Sequence, residues 1–295
     1  MCTSDAGRLP LPSNLADRIE SDRNPARSDW LRRLPGTVAD LARQWELTLG
    51  SPFQPGGACA WVAPARTAHG DKVVLKVGWL HPEAVAEPQV LRLWDGNGAV
   101  RLYAADERAD TVAMLLELCD PGTQLAELPE PEQDEVVCGL LPRLWQEPPA
   151  RHEFPSLQSM CSDWAAGFEA NAAAASSIDP GIIRAGLELF RWLPASADRQ
   201  VVLATDLHAQ NILAARREPW LAIDPKPHVG DPVYDPLQHM INCDRLTADP
   251  VGLASRIANL LEVDLHRLLQ WLFARCVQNS PERPELADVA VRLAP

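Results

Sequence analysis

The segment Val202-Leu-Ala-Thr-Asp206-Leu-His208-Ala-Gln-Asn211-Ile-Leu213 sets polar residues in a tight loop between apolar runs. Asp206 and Asn211, five residues apart, can bring a carboxylate and an amide to one site. Asp224 follows at the end of the next apolar run, Trp220-Leu-Ala-Ile-Asp224-Pro-Lys226. A carboxylate that orients a hydroxyl, together with hard oxygen ligands for Mg²⁺, is the equipment of phosphoryl transfer from a nucleotide. Magnesium keeps several of its waters, so one Asn and one Asp suffice from the protein. Both residue types also favour plain turns, but the flanking β-prone runs and the spacing to Asp224 tip the reading toward function.

Other candidates are weaker alone. Lys76, inside Val73–Val77, is either a solvated strand residue or a phosphate ligand. Gly56-Gly57, in Phe53-Gln-Pro-Gly-Gly-Ala58, marks a turn between strand-like runs, as Gly does in any hairpin. Asp231 and Asp235 are candidates for holding a cationic substrate or for capping the next helix N-terminus, and Asp235, just before Pro236, reads first as the cap. His208 most simply makes a loop-stabilising hydrogen bond. His239 and Cys243 stand at i, i+4, but two further zinc ligands at suitable spacing are missing. Lys226, close after Asp224, is placed to touch a phosphate or to balance nearby carboxylates. Cys119 and Cys138 read as packing residues.

The elements that must position these residues follow from periodicity. Residues 1–26 read as irregular. Apolar spacing predicts a helix over Thr37–Leu49 and strands over Cys59–Ala63 and Val73–Val77. A helical pattern returns over 82–95; Pro88 interrupts it, unless the regular helix restarts there with Pro in its first turn, and pushes Glu87 away from the α region. Ala99–Ala104 and Val112–Leu118 read as strands. Asp120-Pro-Gly122 breaks the chain and marks a boundary between 1–119 and 120–295. Beyond it, helices are expected over Gln133–Trp145, Leu157–Ala174, Gly181–Trp192, Pro236–Cys243 and from Val251 onward. Short β-prone islands interleave at Val201–Leu203, Ile212–Ala214 and Trp220–Ile223.

Composition narrows the partners. The chain has 295 residues, enough for two lobes, and 46% hydrophobic content, which argues against global disorder. A formal charge of −13, from 40 carboxylates against 27 Lys and Arg, disfavours nucleic acid and suits a cationic small molecule. No run reaches the roughly 18 apolar residues of a membrane span, and the start shows no secretory pattern. Seven cysteines without a CxxC point to reduced thiols and a cytoplasmic protein.

Asp206-Leu-His-x-x-Asn211 resembles the catalytic loop of aminoglycoside phosphotransferases. Trp220-Leu-Ala-Ile-Asp-Pro-Lys226, Val229-Gly-Asp-Pro-Val-Tyr-Asp235 and Leu91-Arg-Leu-Trp-Asp-Gly-Asn-Gly-Ala-Val-Arg-Leu102 resemble the streptomycin 6-kinase and hydroxyurea phosphotransferase family. The resemblance implies an α+β, two-lobed, protein-kinase-like fold: a small antiparallel-sheet lobe that clamps ATP, and a larger, mostly helical lobe. It implies ATP and Mg²⁺ as cofactors and an aminoglycoside hydroxyl as acceptor, with hydroxyurea or another metabolite as alternatives. It casts Asp206 as the catalytic base and Asn211 and Asp224 as Mg²⁺ ligands. Lys76 would pair with the α- and β-phosphates and Glu87 with Lys76. Gly56-Gly57 would cover the phosphates, and Glu117–Cys119 would bind adenine through the backbone. The family usually has His-Gly-Asp where this chain has Ala204-Thr205-Asp206. The carboxylate is kept, while a supporting His and a flexible Gly are gone, which also suggests a non-catalytic nucleotide binder.

Overall fold

The computed structural model describes residues 9–21, 24–170 and 178–295. The expectations for residues 1–8, for Cys2 and for the Ala172–Ala175 end of a helix lie outside them. By its contacts the chain divides into two units: Met1–Gly96 with Val100–Asp120, and Asn97–Ala99 with Pro121–Pro295.

The first unit is built on a five-stranded antiparallel sheet of β1 (Thr48–Leu49), β2 (Ala60–Arg66), β3 (Lys72–Trp79), β4 (Leu102–Arg108) and β5 (Thr111–Glu117). Their order is β1-β2-β3-β5-β4. Part of the segment read as irregular is helical, as α1 (Ser13–Ser21). The helix read over Thr37–Leu49 is instead α2 (Pro25–Gln44). Asn24 caps α2 by accepting the Ala26 N–H, with Pro25 at the first helical position. Glu46, at φ 52°, turns the chain out of the helix, and Thr48–Leu49 pairs with β2 instead of continuing it.

Leu15 of α1 and Trp30, Leu34, Val38 and Leu41 of α2 form one core cluster with Trp61 and Ala63 of β2 and Leu75 and Val77 of β3. Because strand side chains alternate, Lys76 between Leu75 and Val77 points to the opposite face of the sheet. There it meets α3 (Pro82–Trp94), which runs unbroken through Pro88. Proline inside a helix costs about 3 kcal/mol. The burial of Ala86, Val90, Leu91 and Trp94 at 0–1% exposure is large enough to offset it.

The second unit holds α4 (Glu130–Leu144), α5 (Leu157–Ala170) and α6 (Pro180–Trp192), then β6 (Val201–Leu203), β7 (Ile212–Ala214), β8 (Trp220–Ala222) and β9 (His228–Gly230). It closes with α7 (Leu237–Met240), α8 (Arg245–Ala248), α9 (Pro250–Leu261), α10 (Leu265–Asn279) and α11 (Glu285–Leu293). The α10 helix is the core: Leu268 and every residue from Trp271 to Val277 are buried. The β6 and β9 strands pair, as do β7 and β8. The sequence pattern did not announce β9, because three residues between Pro227 and Asp231 carry no readable period. Gly230 ends β9 where a Cβ would lie 2.4 Å from that of Leu157 in α5, so only glycine lets the strand sit that close.

Among the described residues, no helix is long and apolar enough to cross a membrane. The six described cysteines are free thiols, and only Cys59 is exposed. Burial pushes the thiols of Cys138, Cys161, Cys243 and Cys276 up to about 12, which leaves them as small core hydrophobes.

Candidate active site

In the first unit, Lys76 Nζ lies 2.7 Å from both carboxylate oxygens of Glu87. The two side chains are only 12% and 7% exposed. The expectation that Pro88 draws Glu87 out of a helix is therefore corrected: α3 persists and delivers Glu87 to Lys76. Gly56, at φ 71°, sits on the loop before β2, where its carbonyl accepts the Asn14 side-chain N–H at 2.8 Å. A Cβ there would meet Pro12 at 2.5 Å, whereas Gly57 has open space around it. Glu117 ends β5, its backbone N–H donated to Arg101 O at 2.9 Å and its carboxylate accepting the Arg101 N–H at 3.1 Å. Cys119, two residues on, is buried.

In the second unit, β6 leads into Ala204-Thr205-Asp206. Thr205 adopts φ 50°, a strained left-handed conformation for a β-branched residue. Hydrogen bonds on every side hold it there. Its N–H is donated to Asp235 Oδ1 at 2.7 Å, next to the Ala204 N–H on Asp235 Oδ2 at 3.1 Å. Its hydroxyl donates to Lys226 O, and Lys226 N–H returns to Ala204 O at 3.0 Å. The chain thus turns so that Asp206 emerges half-buried, at 16% side-chain exposure, with Lys226 Nζ bonded to its Oδ2.

Asn211 closes the same loop. Its Nδ2 donates to Asp206 O at 3.0 Å, and its own carbonyl accepts the Ile223 N–H at 2.9 Å. That second bond ties the loop to the end of β8, where Asp224 is exposed at φ 52°. The Asn97–Ala99 segment braces β8 from its other side, with Ala222 N–H on Gly98 O at 2.9 Å and Arg217 on Ala99 O at 2.9 Å. His208 Nδ1 accepts the Gln210 N–H at 3.3 Å. Burial lowers the pKa of His208 despite the nearby Asp206 carboxylate, which keeps the imidazole neutral.

Asp231 and Asp235 do not face a ligand. Asp231 is 2% exposed, its oxygens taken by Val233 N–H (3.0 Å), Arg267 Nε (2.6 Å) and Trp271 Nε1 (2.7 Å). Asp235 is fully buried beneath the Asp206 loop, accepting Trp145 Nε1 at 3.0 Å besides the two backbone N–H groups. It does not cap α7 either, since Pro236 occupies that position. Burial pushes its carboxyl up to about 6 against the pull of those three N–H donors. The expectation of a cation-binding pair is corrected accordingly: both carboxylates are internal braces. Sequence reasoning missed the anchoring role of Asp235. The available signal was a charged residue enclosed by Tyr234 and Pro236-Leu237.

His239 and Cys243 do find a third potential ligand, Asp134 of α4. However, Arg245 and Arg256 already bond both Asp134 oxygens at 2.8–2.9 Å, and His239 Nε2 lies 2.9 Å from Oδ1. Two guanidinium charges on the shared carboxylate make this a buried ion-pair network that repels a metal cation.

A magnesium ion fits the Asp206 loop better. The Asn211 amide nitrogen is committed to Asp206 O, so the amide presents its oxygen as the acceptor end. Asp224 offers an exposed carboxylate on the segment hydrogen-bonded to it. Two hard oxygens with solvent access match an ion that keeps most of its waters. The half-buried Asp206 carboxylate beside them can accept a proton from a hydroxyl.

Over residues 46–283 the chain matches the family described as aminoglycoside/hydroxyurea antibiotic resistance kinase. A streptomycin 6-kinase from Streptomyces griseus is 33% identical, over 94% of this chain and 92% of its own length. A hydroxyurea phosphotransferase from Kitasatospora aureofaciens is 35% identical, over 96% and 83%. An aminoglycoside phosphotransferase solved as a ternary complex with ADP and hygromycin B superposes with a TM-score of 0.53 at 13% identity, covering 87% of this chain and 94% of that one. At that identity the likeness establishes a shared fold.

Proposed function

Since this chain belongs to the aminoglycoside/hydroxyurea antibiotic resistance kinase family, and so is a small-molecule phosphotransferase, we propose that it transfers the γ-phosphoryl group of ATP to a hydroxyl of streptomycin or a similar aminoglycoside. The outcome would be drug resistance. The observation that carries this reading is the loop in which Asp206, Asn211 and Asp224 lie on hydrogen-bonded neighbouring segments. Asp206 orients the acceptor hydroxyl and takes its proton. Asn211 and Asp224 hold Mg²⁺, which neutralises phosphate charge when bound. Lys76, aligned by Glu87, pairs with the α- and β-phosphates. The Gly56-Gly57 loop covers the phosphates, and the Glu117–Cys119 backbone takes adenine. Most of the rate then comes from positioning and electrostatics. Free thiols suit the reducing cytoplasm.

The 35% identity to a hydroxyurea phosphotransferase favours hydroxyurea as a second acceptor. With Asp231 and Asp235 internal, neither supplies a local preference for a cationic drug. Phosphate transfer from labelled ATP to streptomycin, other aminoglycosides and hydroxyurea decides between them, with turnover on streptomycin as the expected result. Asp206→Ala should lower that turnover by about 10³-fold while leaving ATP–Mg²⁺ affinity within about threefold. Unchanged turnover in this variant would sink the assignment.

A further inference from the structure

The roles above leave Lys226 unused, although its ammonium lies on the Asp206 carboxylate. We propose that Lys226 is a positioning residue for phosphoryl transfer: it pins Oδ2 of Asp206 and so presents Oδ1 to the acceptor hydroxyl. The proposal rests on the phosphotransferase reading and adds a residue to it.

The backbone of Lys226 is fixed to the loop it serves. Its N–H bonds Ala204 O at 3.0 Å, its carbonyl accepts the Thr205 hydroxyl, and His228 Nδ1 lies 3.0 Å from the same carbonyl. Pro227 restricts the backbone of Lys226, the residue before it, and Pro225 fixes its own φ just upstream. A lysine stem anchored this way reaches Asp206 with less entropy to lose than one on a mobile loop.

The pair adds little to stability. Its side chains are 39% and 16% exposed, and water screens exposed pairs of this kind so that they hold little. The loop is already held by Asp235 and by the backbone bonds to Lys226. What the ammonium adds is direction. His208 Nε2 lies 3.9 Å from Oδ1, too far for a hydrogen bond. With Oδ2 engaged, Oδ1 is the oxygen left for an incoming O–H.

In the reaction, the acceptor oxygen bonds the γ-phosphorus as the bond from that phosphorus to the β,γ-bridging oxygen breaks. The bridging oxygen leaves with ADP, and the hydroxyl proton passes to Oδ1. A carboxylate free to rotate would offer either oxygen at poorer angles. Pinning one removes those poses, an effect worth about 10–100-fold in rate.

The test uses the full chain with Lys226→Met and Lys226→Arg, measuring kcat, both KM values and Tm. Lys226→Met should lose about 30- to 100-fold in kcat, with KM for ATP and acceptor within about threefold. Its Tm should stay within about 2 °C of wild type. Lys226→Arg, which keeps the charge, should recover to within about fivefold. A Lys226→Met variant with kcat within about threefold of a turning-over wild type overturns the Lys226 role and leaves the phosphotransferase reading intact. So does a loss that tracks a falling Tm and that Lys226→Arg does not repair. A wild-type chain that transfers phosphate to no acceptor overturns the reading itself, and this role with it.

Discussion

Lys76–Glu87 and Lys226–Asp206 are the same pair of groups set in opposite surroundings. The first joins the middle of a strand to the middle of a helix and is almost closed to water, at 12% and 7% side-chain exposure. The second joins two loops, is wetter, at 39% and 16%, and lies beside two residues at positive φ, Thr205 and Asp224. Buried ions on regular elements cannot leave without stranding a charge, so the first pair is rigid and costly to break. A pair half-open to water can be approached by a further group, which suits a carboxylate proposed to take a proton at Oδ1 while Lys226 stays on Oδ2. On the proposed reading, the difference separates a group that would hold the phosphate donor from one that would meet the acceptor.

The sharpest way to break the comparison is at its buried end. Lys76→Met takes the ammonium away from the buried Glu87 carboxylate and should cost about 3–5 kcal/mol in denaturant unfolding, besides weakening ATP binding. Glu87→Gln should cost less, because an amide can still accept from Lys76. Equal losses in the two variants would mean that burial of the pair is not the cause.

Asp235→Asn tests the brace beneath the wetter end. An amide turns an NH₂ group toward N–H donors, and the loss should be about 2–3 kcal/mol together with a fall in kcat. The titration sets a sign. Burial raises this carboxyl from 3.8 to about 6, so the unfolded chain releases the proton first. Stability contributed by Asp235 therefore falls between those pH values and is flat above about 6. The gap between wild type and Asp235→Asn should narrow over that window, as read from melts at stepped pH.

The smallest effect expected is at Thr205. Thr205→Ala keeps the strained φ and loses the hydroxyl bond to Lys226 O, costing about 1 kcal/mol. Thr205→Gly loses the same bond but relieves about 1 kcal/mol of strain, so it should be near neutral. If the glycine variant is the worse of the two, the strain argument fails.

The strand that carries Lys76 was legible because β-propensity is a local property, and the loop of Asp206 and Asn211 because its two flanking short strands lie near in sequence. The resemblance paired Glu87 with Lys76 as the structure does, while the rule for residues before proline misplaced it, because that rule is local and the packing of Val90, Leu91 and Trp94 that overrides it is not. The start of α2 had a readable cap in Asn24-Pro25, hidden within a stretch whose composition reads as irregular. Asp231 does cap the short helical turn after it, through the Val233 N–H, but the cation-binding reading of Asp231 and Asp235 failed because a carboxylate's type does not reveal which N–H groups will reach it. Trp145 is 90 residues from Asp235, and Trp271 is 40 from Asp231.

By itself, then, the sequence determined the α+β class, the order of most elements and the loop that gathers Asp206 and Asn211, because periodicity and short-range spacing are written residue by residue. Only the tertiary structure decided which carboxylates stay half-open to solvent and which become buried braces. It also decided that a threonine could be held at a glycine-like φ, and that Lys226 would lie on Asp206. Those outcomes depend on long-range hydrogen bonds and burial, which exist only once distant segments have been brought together.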